Sequence, residues 1–164
     1  MTTLRARLAL ICGLLSLALV VVGATGFIAL KTVSDKYNHI VDINLPNAMM
    51  LQKMSLGAGN SLRQIVRLGF TNLTDKEIEE LIKKYNSDVG TYETSDKKYQ
   101  EVPFVEGESE LYDKVSNSWK STVSTAQRMI ELRTKGNMEA FLRMLDGDFR
   151  TAYHAHGKAL AELI

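Results

Sequence analysis

Few side chains in this sequence have the types and spacing that chemistry needs. There are three histidines, His39, His154 and His156. The last two are two residues apart, which on a helix turns them about 200° away from each other, so they do not share a ligand. Cys12 is the single cysteine, which excludes a disulfide framework, a Cys-based metal site and haem attachment through Cys-x-x-Cys-His. No phosphate loop, nucleophile elbow, zinc-protease helix or Glu-x-x-His pair of a di-iron bundle occurs. The expectation is a protein that is not an enzyme and needs no cofactor, with His156 a hydrogen-bonded core residue. What remains is an arginine pair, Arg63 and Arg67, four apart and therefore on one helical face. Guanidinium groups suit carboxylates, which they engage through paired donors.

The elements that would position these residues begin with an apolar run. Residues 8–30, LALICGLLSLALVVVGATGFIAL, contain no charged side chain. At about 1.5 Å per residue this run is long enough to cross the roughly 30 Å hydrocarbon core of a bilayer as one helix. Arg5 and Arg7 precede it, whereas Lys31 and Lys36 after it are interleaved with Asp35 and Asp42. The basic bias places residues 1–7 in the cytoplasm and the domain of residues 31–164 outside. A cleaved secretory signal is the competing reading, with Val22-Gly-Ala24 as its small-residue site, although the apolar run continues through Phe27, Ile28 and Leu30. Both readings export the domain. Without Arg5 and Arg7 the chain carries 18 basic against 19 acidic residues, so nothing points to nucleic acid as a partner.

The exported part reads as helices. Val33, Tyr37, Ile40, Asn44, Asn47, Leu51, Met54, Ala58, Ser61, Ile65 and Leu68 alternate four and three apart, the seam of a helix in a left-handed bundle. This register continues from the apolar run and predicts one long helix over roughly residues 8–70, kinked near Asp42 to Pro46 or broken there. Thr74 and Glu77 have capping-box spacing and open a second helix with the seam Ile78, Ile82, Tyr85, Val89, Tyr92, Asp96 and Tyr99, ending before Pro103. Glu106, Glu108 and Glu110 mark the start of a third, whose seam is Tyr112, Val115, Trp119, Thr122, Ala126 and Met129. Lys135-Gly136-Asn137 closes it and caps a fourth, with Met138, Phe141, Leu145, Phe149, Ala152, His156 and Leu160 inward. The fold class is all-α, a transmembrane helix continuous with an antiparallel up-and-down four-helix bundle. Tyr85, Tyr92 and Trp119 are expected in the core.

The helix lengths carry a further expectation. The first helix would project about 60 Å beyond the membrane and the fourth return only about 40 Å. The expectation is a fragment whose native chain runs on to a second span and a cytoplasmic output module.

In this order and spacing, Glu108-Ser-Glu-Leu-Tyr-Asp113 leading to Trp119, then Leu132-Arg-Thr-Lys-Gly-Asn137, then Ala140-Phe-Leu-Arg-Met-Leu145, the chain resembles the ligand-binding region of methyl-accepting chemotaxis receptors. The resemblance covers nearly the whole chain. It implies a homodimer through the first helix, a small-molecule site near the membrane-distal end, and a helix displacement passed to a cytoplasmic signalling module. In the aspartate and serine receptors, arginines on the first helix hold the ligand's α-carboxylate. Ser61-Leu-Arg63-Gln-Ile-Val-Arg67 keeps that spacing, but the family's third arginine would fall at Ala58 and its helix-four threonine near Asp146. The tentative ligand residues are Arg63, Arg67, Asp146 and Arg150. The bland alternative for the arginines is a solvated basic face paired with acids on a neighbouring helix.

The function expected is therefore the sensory region of a bacterial chemoreceptor in the inner membrane, facing the periplasm and partnered by a small carboxylate or a periplasmic binding protein. Two alternatives stand beside it. The same bundle could serve a histidine kinase, since sensory folds are shared between outputs. A membrane-tethered helical protein that binds another protein and no small molecule is the other, and its sign would be an exposed apolar patch.

Overall fold

The computed structural model describes the backbone of residues 4–39, 41 and 45–164, and the side chains of residues 13–37, 41 and 45–164. The elements are α1 (Leu4–His39), α2 (Leu45–Leu68), α3 (Asp75–Gln100), α4 (Glu108–Thr134), α5 (Met138–Met144), a π-helical turn over Leu145–Phe149, and α6 (Arg150–Leu163). No strand occurs among the described residues. The chain divides into two compact units, Met1–Leu45 and Pro46–Ile164.

The first unit is α1. Within it Gly13–Tyr37 is long and apolar enough to cross a membrane, with a mean hydropathy of 2.3. Its described large apolar side chains are all exposed, as a helix that solvates itself in lipid would leave them. Val33 and Tyr37 have the spacing of the bundle seam but are exposed as well. The kink expected near Asp42 to Pro46, and Ile40 and Asn44 of the seam, fall at residues 40 and 42–44, outside the described residues. So do the side chains of Cys12 and His39.

The second unit is an up-and-down bundle of α2, α3, α4 and a last helix made of α5, the π turn and α6. Alternate directions follow from the contacts. Tyr99 bonds Glu108 and Tyr112 bonds Asp96, so α3 and α4 run opposite ways. Ser118 meets His156 and Lys114 meets Glu162, so α4 and α6 do too.

Within the bundle, from Leu51 on, most residues of the expected seams are buried. On α2 the buried stripe is Leu51, Met54, Gly57, Ala58, Ser61, Gln64, Ile65 and Leu68. On α4 it is Tyr112, Val115, Trp119, Thr122, Ala126 and Met129. On α3 the buried face turns toward Leu81 and Ser95, leaving Ile78, Ile82 and Asp96 half-buried. Gly57 lets α2 approach α3 closely: a Cβ there would stand 3.0 Å from the Asp88 carbonyl oxygen and 3.1 Å from Tyr92.

The ends are closed by local chemistry. Thr74 and Glu77 form both halves of a capping box: the Glu77 amide donates to Thr74 Oγ1, and the Thr74 amide donates to the Glu77 carboxylate at 2.8 Å. Gly136 takes φ +73°, left-handed backbone that glycine adopts freely, and Asn137 Oδ1 accepts from the Ala140 amide. Arg133 of α4 donates from Nε to the Leu68 carbonyl oxygen at 2.8 Å and from Nη2 to that of Phe70 at 3.3 Å, satisfying carbonyls at the end of α2.

The fourth helix departs from expectation. It is interrupted by the π turn at Leu145–Phe149 rather than continuous from Asn137. The apolar residues Phe141, Leu145 and Phe149 are spaced by two successive fours, which would carry a regular α-helix off its seam. One extra residue taken up in a π turn restores the phase, so Phe141, Phe149, His156 and Leu160 are all buried.

Candidate functional site

Beside the π turn, between α2 and the last bundle helix, lies a groove of about 370 Å³. Leu62 and Val66 of α2 form one wall, and Leu145, Asp146 and Phe149 of the turn form the other. Arg150, Tyr153 and His154 of α6 complete it. π turns are frequent at functional positions, because the bulged segment frees backbone groups and redirects side chains.

Two of the four expected ligand residues, Asp146 and Arg150, share this groove. They are four apart, so the carboxylate and the guanidinium stand one above the other on the same face. Arg63 and Arg67 do not line it. Each follows a wall residue, Leu62 or Val66, by one position, so each lies about 100° round α2 from the wall, on the exposed surface. All four charged residues are exposed.

The bland alternative for the arginines would show them in ion pairs. Among the described residues the ion pairs within 4 Å are Lys114–Glu162, Lys135–Glu131, Arg143–Glu139 and Lys158–Glu162, and none uses Arg63, Arg67, Asp146 or Arg150. Arg67 does act at longer range. The Thr74 backbone and then its hydroxyl hold the Glu77 carboxyl below its ordinary range, and the Arg67 charge adds to that.

His154 and Tyr153 were not among the expected site residues. His154 follows Arg150 by four, the same spacing that relates Arg150 to Asp146, and that repeat was the available signal. A second groove of about 540 Å³ opens between α4 and α5, where Arg128, Lys135 and Arg143 alternate with Glu131 and Asp148. Its charges are mixed, and Lys135 and Arg143 are engaged by carboxylates of their own helices.

The aromatic residues behave as core. Tyr92 and Trp119 stack with centroids 3.8 Å apart, and His156 tilts against both. Burial, then the charge of Asp96, pushes the Tyr92 phenol far up, so it stays neutral. No group of three or more metal-ligating side chains occurs among the described residues.

Fold and groove define a class: an up-and-down helical bundle, open to solvent at one side between its first and last helices. Over residues 1–164 the chain matches the family described as "Four helix bundle sensory module for signal transduction", and it belongs to that family, the sensory module of methyl-accepting chemotaxis receptors. Its role is that of a sensory module in signal transduction. No curated protein and no solved structure matches the chain.

Proposed function

We propose that the bundle is the extracytoplasmic input region of a bacterial chemoreceptor, anchored in the inner membrane by α1, and that the groove between α2 and α6 takes a small carboxylate-bearing molecule. The observation that carries this reading is the juxtaposition of Asp146 and Arg150, both without a partner among the described residues, over an apolar floor of Leu62, Val66, Leu145 and Phe149. A guanidinium beside a carboxylate matches the two ends of a zwitterion, and the floor accepts its apolar part. Arg63 and Arg67 lie on the exposed surface of the same helix, where their charge would attract an anion toward the groove. Ligand in the groove would touch α2 and α6 at once. It biases their relative displacement to the extent that it binds one arrangement more tightly than the other.

Homodimerisation through the first bundle helix belongs to the same proposal. Leu45, Met49 and Leu56 are exposed, by 53%, 48% and 58%. With Gln52 and Gly59 they make a second four-and-three seam over the first part of α2, turned away from the core and clear of the groove wall at Leu62 and Val66. A monomer gains nothing from this stripe, whereas a second copy would bury it. The experiment is calorimetry on the full chain in lipid nanodiscs, titrated with amino acids and short dicarboxylates. Saturable binding that Arg150→Ala weakens at least tenfold supports the groove, and equal binding by both proteins removes it.

A further inference from the structure

His156 is the most buried ionisable cation precursor of the bundle, with 1% of its surface exposed, and the groove makes no use of it. Its Nδ1 lies 3.2 Å from Ser118 Oγ of α4. The Ser118 hydroxyl proton is directed at the Val115 carbonyl oxygen, 2.9 Å away. With the Ser118 hydroxyl bonded to the Val115 carbonyl, the tautomer that satisfies both groups carries the ring proton on Nδ1, donating to Ser118 Oγ, and leaves Nε2 a bare lone pair. That Nε2 is buried with no hydrogen-bond partner.

Beside the ring lies a cavity of about 110 Å³ between α2 and α6, lined by Ser55, Ala58, Tyr153 and Gly157 among others. We propose that His156 is a proton-operated latch on α6: protonation at Nε2 drives the imidazolium to seek water through this cavity and loosens α6 from α2 and α4. The reacting proton comes from solvent, and no other group is consumed.

The surroundings give the latch its direction. On α3 the ring meets Tyr92, and on α4 it meets Val115, Ser118 and Trp119. On α2 the cavity is lined by Ser55 and Ala58, and on α6 by Tyr153. The ionisable groups in this set are the two phenols, both raised by burial and neutral throughout the acid range. The carboxylate of Asp96 is engaged by Tyr112 and Gln100, and Glu162 pairs with Lys114 and Lys158. None of them stabilises an imidazolium at residue 156.

Burial therefore holds the ring well below its ordinary 6.5, to about 4, with the Val115 backbone opposing. A depressed pKa means that the closed state is fully favoured above about pH 6.5 and loses that advantage as pH falls toward 4. Between those values the opening equilibrium rises about tenfold per pH unit. The latch needs only the bundle. Its exposure to external pH rests on the extracytoplasmic placement proposed above.

Trp119 is the single tryptophan of the chain, and its ring centroid lies 5.0 Å from that of His156, so its fluorescence reports the imidazolium as a contact quencher. The test is a pH titration of the full chain in lipid nanodiscs, with hydrogen exchange of the α6 amides followed in parallel. The expected result is a one-proton quenching transition with its midpoint near pH 4, absent from His156→Gln. Over pH 6 to 4, α6 exchange, corrected for its intrinsic pH dependence, should accelerate by about tenfold per unit while α3 does not. A midpoint near 6.5, a transition that survives in His156→Gln, or α6 exchange that ignores the titration overturns the latch. Should His156→Gln lose helicity, the imidazole of isotopically labelled wild-type protein gives the same midpoint by NMR and decides the matter alone. Neither readout depends on which side of the membrane the bundle occupies.

Discussion

The indole of Trp119 lies almost flat against the phenol of Tyr92, with centroids 3.8 Å apart and planes 17° from parallel. The pair bridges α3 and α4 in the middle of the bundle, and both rings are buried. Trp119→Ala removes a large buried side chain and the stack together, which predicts a loss of about 3 to 5 kcal/mol. Thermal melts followed by far-UV circular dichroism read the change; a melting point within a degree or two of wild type would mean that the stack carries little of the packing.

The capping box at Thr74 makes a prediction in which stability and ionisation move together. Thr74→Ala should cost about 1 kcal/mol. It should also raise the Glu77 midpoint part of the way toward its ordinary 4.5, because the Thr74 hydroxyl donor is lost while the backbone amide of residue 74, the larger cause, still donates to the carboxylate. A depressed carboxyl stabilises the fold above its unfolded pKa, and that contribution fades as pH falls through the folded value. An NMR titration of Glu77 in both proteins measures the shift, and coincident curves would assign it to some other group.

Glycines on neighbouring helices should respond in opposite directions. Gly57→Ala would push its Cβ to 3.0 Å from the Asp88 carbonyl, a backbone atom that does not rotate away, and should destabilise by about 1 to 3 kcal/mol. Gly90 has open space at the same position, so Gly90→Ala should instead gain about 0.5 to 1 kcal/mol of helix propensity. Equal melting points for the two variants would contradict the close approach of α2 and α3.

Arg133→Ala should free the C-terminal end of α2, since its guanidinium holds the carbonyl oxygens of Leu68 and Phe70. Charged hydrogen bonds of this kind contribute about 1.5 to 3 kcal/mol. Hydrogen exchange at Leu68 to Phe70 should accelerate, while exchange at the N-terminal half of α2 stays unchanged. Uniform acceleration along α2 would point to a general loss of packing instead.

Much of the bundle could be read from the sequence because its patterns are uninterrupted. All six residues of the α4 seam, from Tyr112 to Met129, are the buried ones. Gly136 and the Thr74–Glu77 box end and start helices where their chemistry places them. The π turn was harder to see, because a seam with two successive four-residue steps reads as an imperfect α-helix unless phase is tracked through Phe149. Arg133 was visible only as part of a hairpin motif, since its partners are backbone oxygens 63 and 65 residues away. The groove was half legible. Asp146 and Arg150 line it, while Arg63 and Arg67 point attention to the right helix but to a face one residue round from the wall.

If the sensory module responds to a small molecule held between α2 and α6, as proposed, ligand-dependent hydrogen exchange on the full chain in nanodiscs will reveal it. With an amino acid or dicarboxylate that calorimetry shows to bind, protection should appear at Leu62 to Val66 and at Leu145 to His154 and be lost in Arg150→Ala. Protection confined to other surfaces, or unchanged by Arg150→Ala, would rule the groove out.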